Sequence, residues 1–141
     1  MHHHDQAIAS LLHLTYQCIS GSKPEERDWN TYRAQFIPEA RLNIVLNNEN
    51  KVTVSVNTVD DYVRDATQLI GNSPFFEKDV AHRIEYKDNF ALVWSDYEAR
   101  KSPDGEIIYT GTNCFQMIFD GHRWKIISML WERKARPTFF K

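Results

Sequence analysis

The sequence predicts an α+β fold in which three helices of the first half pack on a β-sheet supplied mostly by the second half. Three observations carry that expectation. Apolar residues recur at helical spacing in three stretches before Gly71. The period falls to two from Ala40 to Val56 and again from residue 77 onward. The later strands are separated by the turn signals Lys87-Asp88-Asn89, Pro103-Asp104-Gly105 and Asp120-Gly121.

Helix 1 is expected from Asp5, a natural N-cap, through Ala7, Ile8, Leu11, Leu12, Leu14 and Ile19 to a stop at Gly21. A polar, proline-containing stretch, 22–27, follows. Asp28 then caps a short helix with Trp29, Tyr32, Arg33 and Phe36, which Pro38 ends. Leu42, Ile44 and Leu46 alternate with Arg41, Asn43 and Val45 up to the turn Asn47-Asn48-Glu49-Asn50. Val52, Val54 and Val56 return, which makes a β-hairpin. Thr58 and Asp61 stand at capping-box spacing before Val59, Tyr62, Val63, Ala66, Leu69 and Ile70, one helical face that closes at Gly71. Strands near 77–87, 89–101, 106–119 and 122–134 complete an antiparallel meander. Met1-His2-His3-His4 reads as the remnant of a purification tag, 5–134 as a single domain, and 135–141 as a tail. Lys134, Arg136 and Lys141 give that tail a solvated positive end.

Composition narrows the function classes. The 141 residues carry 17 Lys and Arg against 19 Asp and Glu, with 42% apolar and 13% aromatic content, so a core can form without a metal or disulfide staple. The near-neutral charge argues against a nucleic-acid partner, and no apolar run is long enough to span a membrane. Cys18 and Cys114 lack metal or redox spacing and no signal peptide is read, so a reduced, cytoplasmic chain is expected. Gly105, Gly111 and Gly121 serve turns or strands rather than a phosphate cradle. No cofactor and no metal are therefore expected.

Hairpin geometry assigns faces. A two-residue Asp120-Gly121 turn sets Asn113 opposite Ser128 and Phe115 opposite Ile126, and either two-residue turn within Pro103-Asp104-Gly105 puts Trp94 and Asp96 on that same side. A three-residue Lys87-Asp88-Asn89 loop sets His82 opposite Trp94, whereas a two-residue Asp88-Asn89 turn moves it to the other side. The preferred face gathers Phe90, Leu92, Trp94, Phe115, Met117, Phe119, Trp124, Ile126 and Leu130. It also carries the polar group His82, Asp96, Tyr109, Asn113, Ser128 and Glu132, which a partly hydrated cavity would accommodate. The second face holds Val93, Tyr97, Ile108, Cys114, Ile118, Ile127, Met129 and Trp131, too apolar to be left wet, so a homodimer through the sheet is expected.

Helix, short helix, hairpin, helix and four long strands, with D28-W-N-T-Y-R-A-Q-F-I-P-E-A-R-L42, D88-N-F-A-L-V-W-S-D-Y-E98 and F119-D-G-H-R-W-K-I-I-S-M-L-W131, resemble the nuclear transport factor 2-like superfamily over residues 5–134. This is the cystatin-like or SnoaL-like α+β cone. The resemblance implies a cone-shaped, curved, mixed or antiparallel sheet wrapped around three helices. The superfamily includes ketosteroid isomerases, scytalone dehydratase, limonene epoxide hydrolase, polyketide cyclases, dioxygenase small subunits and noncatalytic binding domains, so fold alone does not assign activity. In the isomerases a helix-1 tyrosine and a carboxylic acid serve the oxyanion, and a strand-1 aspartate moves the proton. Tyr16 falls near the first of these positions. Ile44, beside Asn43, stands where the base would be, so isomerase activity is not expected, and the Asp-Arg-Asp set of the epoxide hydrolase is missing.

The candidate chemistry centres on His82 and Asp96. On the preferred register they lie diagonally across adjacent strands, roughly 7 Å apart at the backbone. Asp96 would orient His82 as a general base, while Tyr16, Asn113 or Ser128 held a carbonyl oxygen. The same pair also reads as a hydrogen-bonded rim pair without chemistry. Trp29, Tyr32 and Trp94 could stack on a planar ligand or simply fill core, Asn113 needs a buried partner of some kind, and Tyr109 and Glu132 close the rim. The leading expectation is a small-molecule-binding domain with an apolar cavity. A cofactor-independent isomerase, dehydratase or cyclase using His82 and Asp96, and a noncatalytic interaction module, are the alternatives.

Overall fold

In the computed structural model of the chain, which describes residues 4–134, local capping sets the helices. The tail residues 135–141, Arg136 and Lys141 among them, and the first three residues of the tag-like start lie outside the described part. Helix α1 (Asp5–Cys18) begins one residue earlier than expected, with His4 in the cap position and its carbonyl accepting from Ile8 N at 3.0 Å. The His4 ring packs on Phe119 and Trp124 at 4.8 and 5.0 Å between centroids, so this histidine belongs to the folded part. Asp5 lies in the first turn of α1, where its carboxylate accepts from the Tyr86 hydroxyl. After a 3-10 turn (Pro24–Glu26), the Asp28 carboxylate caps α2 (Trp29–Ala34) by accepting from Thr31 N at 3.0 Å. The capping box of α3 (Val59–Ile70) is complete: Thr58 Oγ1 accepts from Asp61 N at 3.0 Å and Asp61 Oδ2 from Thr58 N at 3.1 Å.

The strands are β1 (Phe36–Asn48), β2 (Lys51–Thr58), β3 (Phe76–Lys87), β4 (Phe90–Arg100), β5 (Ile107–Phe119) and β6 (Trp124–Lys134). They form one mixed sheet in the order β2-β1-β6-β5-β4-β3, in which β1 runs parallel to β6. The first hairpin turns at Glu49-Asn50, whose φ angles of 51° and 69° suit the twist of its strands. Strand β1 starts four residues earlier than expected. It runs through Pro38, and its ladder with β6 is interrupted between Phe36 and Arg41, where proline has no N–H to give.

Three bulges overturn part of the expected facing. Arg100 pairs with Ile107 as an odd register requires, but Ala99 pairs with Tyr109, so Ile108 is an extra residue and every position of β4 beyond it changes side. Val93, Ser95 and Tyr97 therefore face inward, and Phe90, Leu92, Trp94 and Asp96 face outward. A second extra residue, Ile127, separates the Met117–Ile126 pair from the Gln116–Ser128 pair. It turns Met129 and Trp131 inward and Ser128, Leu130 and Glu132 outward. A third, Val80, interrupts β3. The β3–β4 turn is the two-residue Asp88-Asn89, not the three-residue loop, so His82 pairs with Ser95 rather than with Trp94. Because the β4 faces have also exchanged, His82 still ends on the inner side, at the sheet edge. Phe115, Met117, Trp124, Ile126, Tyr109 and Asn113 keep their expected inner side, and the core forms where Phe115, Met117, Ile126 and Val93 meet Ile8 and Leu12 of α1.

Two local features fix the helices against this sheet. Arg27 is buried, and its guanidinium donates to four backbone carbonyls: Ser73 at 2.7 Å, Gly21 at 3.1 Å, Ile19 at 3.2 Å and Gly71 at 3.5 Å. It thereby joins the chain leaving α1 to the chain leaving α3, satisfying acceptors that helix ends leave open. Gly111 of β5 lies under the Tyr97 ring. A Cβ there would stand 2.5 Å from the Tyr97 hydroxyl oxygen, so glycine is what lets that ring lie flat on the strand.

Arg27→Met should lower stability by about 2–4 kcal/mol, since buried carbonyls lose charged donors together; the midpoint of urea unfolding measures it. Gly111→Ala should cost about 1–3 kcal/mol by the same measurement, because the buried Tyr97 ring has to move.

Candidate functional site

A cavity of about 990 Å3 lies between the sheet and the helices α1 and α3. Its wall is rich in aromatic side chains. Tyr16 comes from α1, Tyr62 from α3, Tyr97 from β4, Tyr109 from β5 and Trp131 from β6, while Tyr32 of α2 stacks on Tyr62 at 5.7 Å. The Tyr16 and Tyr97 rings are 6.0 Å apart, and Tyr97 and Tyr109 meet edge to face at 6.1 Å.

One polar cluster leads away from this wall at Tyr16 and Asn113 as a hydrogen-bonded series whose directions are set. Ser95 Oγ donates its single proton to Asp79 Oδ1 at 2.5 Å, so the Tyr16 hydroxyl, 2.7 Å away, donates to Ser95. Asn113 Nδ2 donates to Tyr16 at 3.0 Å, and the other oxygen of Asp79 accepts from His82 Nδ1 at 2.9 Å. Burial, with nearby Glu77 adding to it, lifts the Tyr16 hydroxyl well above its ordinary range and keeps it a donor. The series runs from the cavity wall at Asn113 to the half-exposed His82 ring at the edge of β3.

A second cluster is Glu77 with Tyr109. The Tyr109 hydroxyl donates to Glu77 Oε2 at 3.3 Å, a long bond. Burial pushes the Glu77 carboxyl up to about 8, opposed only in part by that bond. At neutral pH the cavity thus holds a carboxylic acid able to donate a hydrogen bond. Burial first, and Glu77 second, raises the Tyr109 and Tyr97 hydroxyls far above their usual range, so all these phenols stay protonated.

The expected site residues divide. Tyr16, Tyr32, Tyr109 and Asn113 come together on the cavity wall. Trp29 stands behind it, against Tyr32 at 5.5 Å. Trp94, Asp96, Ser128 and Glu132 are on the outer side for the bulge reasons given. Arg83 covers the Trp94 ring at 5.8 Å, Asp96 accepts from Thr112 Oγ1 at 2.7 Å, and Ser128 donates to Gln116 at 2.8 Å. Glu132, at the cavity rim, accepts from Asn47 Nδ2 at 3.3 Å. His82 is not paired with Asp96, because Asp79 takes its ring nitrogen. His82, Trp94 and Asp96 approach one another only along a shallow groove at the β3 edge, apart from the cavity. Among the described residues no group of three or more His, Cys, Asp or Glu side chains is placed to hold a metal.

Glu77, Asp79, Ser95, Tyr97 and Arg133 belong to this site and were not singled out from the sequence. A signal for the β4 members existed. Asp96, Glu98 and Arg100 are all at even positions, which marks the even side of that strand as the wet one and leaves Val93, Ser95 and Tyr97 for the interior.

No family model matches the chain, and no curated protein does. Solved structures do. A Nostoc punctiforme protein of unknown function with a cystatin-like fold superposes with a TM-score of 0.68 at 12% identity, covering 94% of this chain and 92% of that one. A nuclear transport factor 2-like protein of unknown function from Shewanella baltica reaches 0.63 at 17% identity, covering 94% of each chain. A Novosphingobium aromaticivorans protein provisionally named a scytalone dehydratase reaches 0.64 at 13% identity, covering 96% of this chain and 87% of that one. At these identities the likeness speaks for architecture, and it agrees with the three helices and six-stranded mixed sheet: the chain has the nuclear transport factor 2-like, cystatin-like α+β cone fold.

Proposed function

We propose that the chain is a small-molecule-binding domain that takes a small, largely apolar organic molecule into the tyrosine-lined cavity. The observation that carries this reading is the cavity itself, whose wall brings the phenols of Tyr16, Tyr62, Tyr97 and Tyr109 together with Glu77. Burial pushes that carboxyl up to about 8 and it accepts one long bond from Tyr109, so a ligand carbonyl oxygen would find a donor there. The volume suits a molecule of one to three rings. Ala66 of α3 is buried and lines the same cavity, so it offers a way to fill the space without touching the polar groups.

A second reading has one specific support. A carboxyl that titrates near 8 inside a pocket is matched to proton transfer at physiological pH, which makes Glu77 a candidate general acid or base for a cofactor-free isomerase, dehydratase or cyclase. This role passes to Glu77 from the His82 and Asp96 pair, which the fold separates. The provisional scytalone dehydratase shares the architecture and nothing closer.

The partner proposed for the outer sheet face is a second copy of the chain. Paired positions Val56, Asn43, Leu130, Cys114 and Trp94 form a row across five strands, and Val56, Leu130 and Trp94 are 64%, 45% and 38% exposed. Cys18 and Cys114 are both free thiols, which suits the reducing cytoplasm as its location.

Thermal-shift and fluorescence titration against a panel of aromatic and alicyclic ketones should yield binders, and Ala66→Phe should abolish their binding while the protein still melts cooperatively. A panel without binders, or unchanged affinity in Ala66→Phe, would refute the cavity reading. Glu77 also ties stability to pH. Its folded carboxyl binds a proton more tightly than the unfolded one, so stability should fall as pH rises from about 4.5 to about 8 and level off above. Melting temperature across pH 5–9 should show that decline, on the order of several degrees, and Glu77→Gln should flatten it. Sedimentation should show a dimer that Leu130→Lys converts to monomer.

A further inference from the structure

Resting on the ligand-binding reading, we propose that the cavity selects a small aromatic molecule bearing a carboxylate, and that Arg133 is the residue that holds it. Arg133 stands on the inner side of β6, two residues after Trp131, in register with Leu46 of β1, and lines the cavity. Its Nε is buried and has no hydrogen-bond acceptor. Among the described residues its guanidinium forms no ion pair either, and each acidic group of the same wall is otherwise engaged or neutral. Glu132, at the cavity rim, accepts from Asn47 and forms no ion pair with Arg133 among the described residues. Asp65, at the rim, lies 3.9 Å from Arg64. Glu77 carries its proton at neutral pH and is bound by Tyr109.

The result is an uncompensated cation in a cavity of phenols. A buried donor without a partner is costly, and native folds leave few of them, so an acceptor arriving from outside gains what the wall does not supply. A planar carboxylate matches a guanidinium through two parallel N–H···O bonds. Arg133 draws the Tyr62 and Tyr97 hydroxyls downward in pKa against the larger effect of burial, and both phenols line the same cavity. The aromatic wall then receives the rest of the molecule. Inorganic phosphate fits less well, because one guanidinium supplies too little charge and no helix N-terminus or lysine joins the lining.

The probes are 2-naphthoate, its neutral isostere 2-naphthamide, and inorganic phosphate as competitor, followed by titration calorimetry at pH 6.5 and low salt. The naphthoate should bind about tenfold or more tightly than the amide, and phosphate at the same concentration should not displace it. Arg133→Met should bring the two affinities within about twofold, while Arg133→Lys should retain part of the preference. Retained naphthamide binding certifies that a variant is folded. Equal affinities in the unmodified protein, a preference that survives Arg133→Met, or displacement by phosphate would overturn the assignment while leaving the cavity as a ligand site. If neither naphthalene binds and the ketone panel also fails, the ligand-binding reading falls with it.

Discussion

A β-strand can show its side chains to only two sides, and one inserted residue exchanges them; the chain uses that constraint three times, at Val80, Ile108 and Ile127. Each insertion adds local twist to the sheet, one end of which packs on α1 while the other borders the cavity. They also choose the lining. Ile108 brings Ser95 opposite Asn113 and Tyr97 opposite Gly111, and Ile127 brings Met129, Trp131 and Arg133 inward. Take away the inserted Ile108 and β4 would present Trp94 and Asp96 to the helices, leaving Tyr16 without Ser95. The local twist and the chemistry of the wall therefore have one origin.

The polar groups buried by this arrangement fall into two kinds. Asn113, Tyr16, Ser95, Asp79 and His82 satisfy one another in sequence, each donor meeting an acceptor between 2.5 and 3.0 Å. A fully satisfied network of this sort fixes α1 to β3, β4 and β5 and resists rearrangement. It leaves the Tyr16 hydroxyl proton committed to Ser95. Arg27 acts similarly at the other end of the helices, where four carbonyl acceptors hold one guanidinium and join the exits of α1 and α3. Rigid supports at both ends keep the space between them from collapsing around the aromatic rings.

How much of this was legible follows from which physical rules act locally. The Asp28 cap, the Thr58–Asp61 box and the Glu49-Asn50 turn are decided by neighbours in sequence, and the residues alone place all three helices and the sites of the hairpins. The last hairpin, however, turns over four residues, 120–123, rather than at a two-residue Asp120-Gly121, and with the extra Ile127 this pairs Phe115 with Met129 and not with Ile126. The parallel pairing of β1 with β6 joins segments some 85 residues apart, and only the resemblance to a known fold implied a mixed sheet. Facing was readable up to the first bulge. The odd register expected at Arg100 and Ile107 is present, and Tyr109, Asn113, Phe115 and Tyr16 land where the alternation puts them. Beyond each bulge the alternation inverts, and Trp94, Asp96, Ser128 and Glu132 leave the site together. No turn motif or composition marks Ile108 or Ile127 as extra, since each looks like an ordinary β-branched strand residue. The charges Asp96, Glu98 and Arg100 were the available correction, as three charged side chains on one side of a strand seek water.

Glu77 and Arg133 are the groups that the wall does not satisfy, and the difference from the Tyr16 network is instructive. A carboxylate and a guanidinium brought into one apolar space would normally pair and cancel, each relieving the other's desolvation. Here burial instead raises the Glu77 carboxyl to about 8, and Tyr109 gives it only a long bond, while Arg133 keeps an unpartnered Nε. A wall built only for stability gains nothing from that division, because replacing both by apolar residues would remove two desolvation costs. A cavity that must receive a molecule from water gains a neutral donor and a fixed positive charge among rings that supply the contact area. On the proposed reading the polar contacts of an incoming molecule fall at Glu77 and Arg133, because the Tyr16 hydroxyl is already committed to Ser95 and the Asn113 amide to Tyr16.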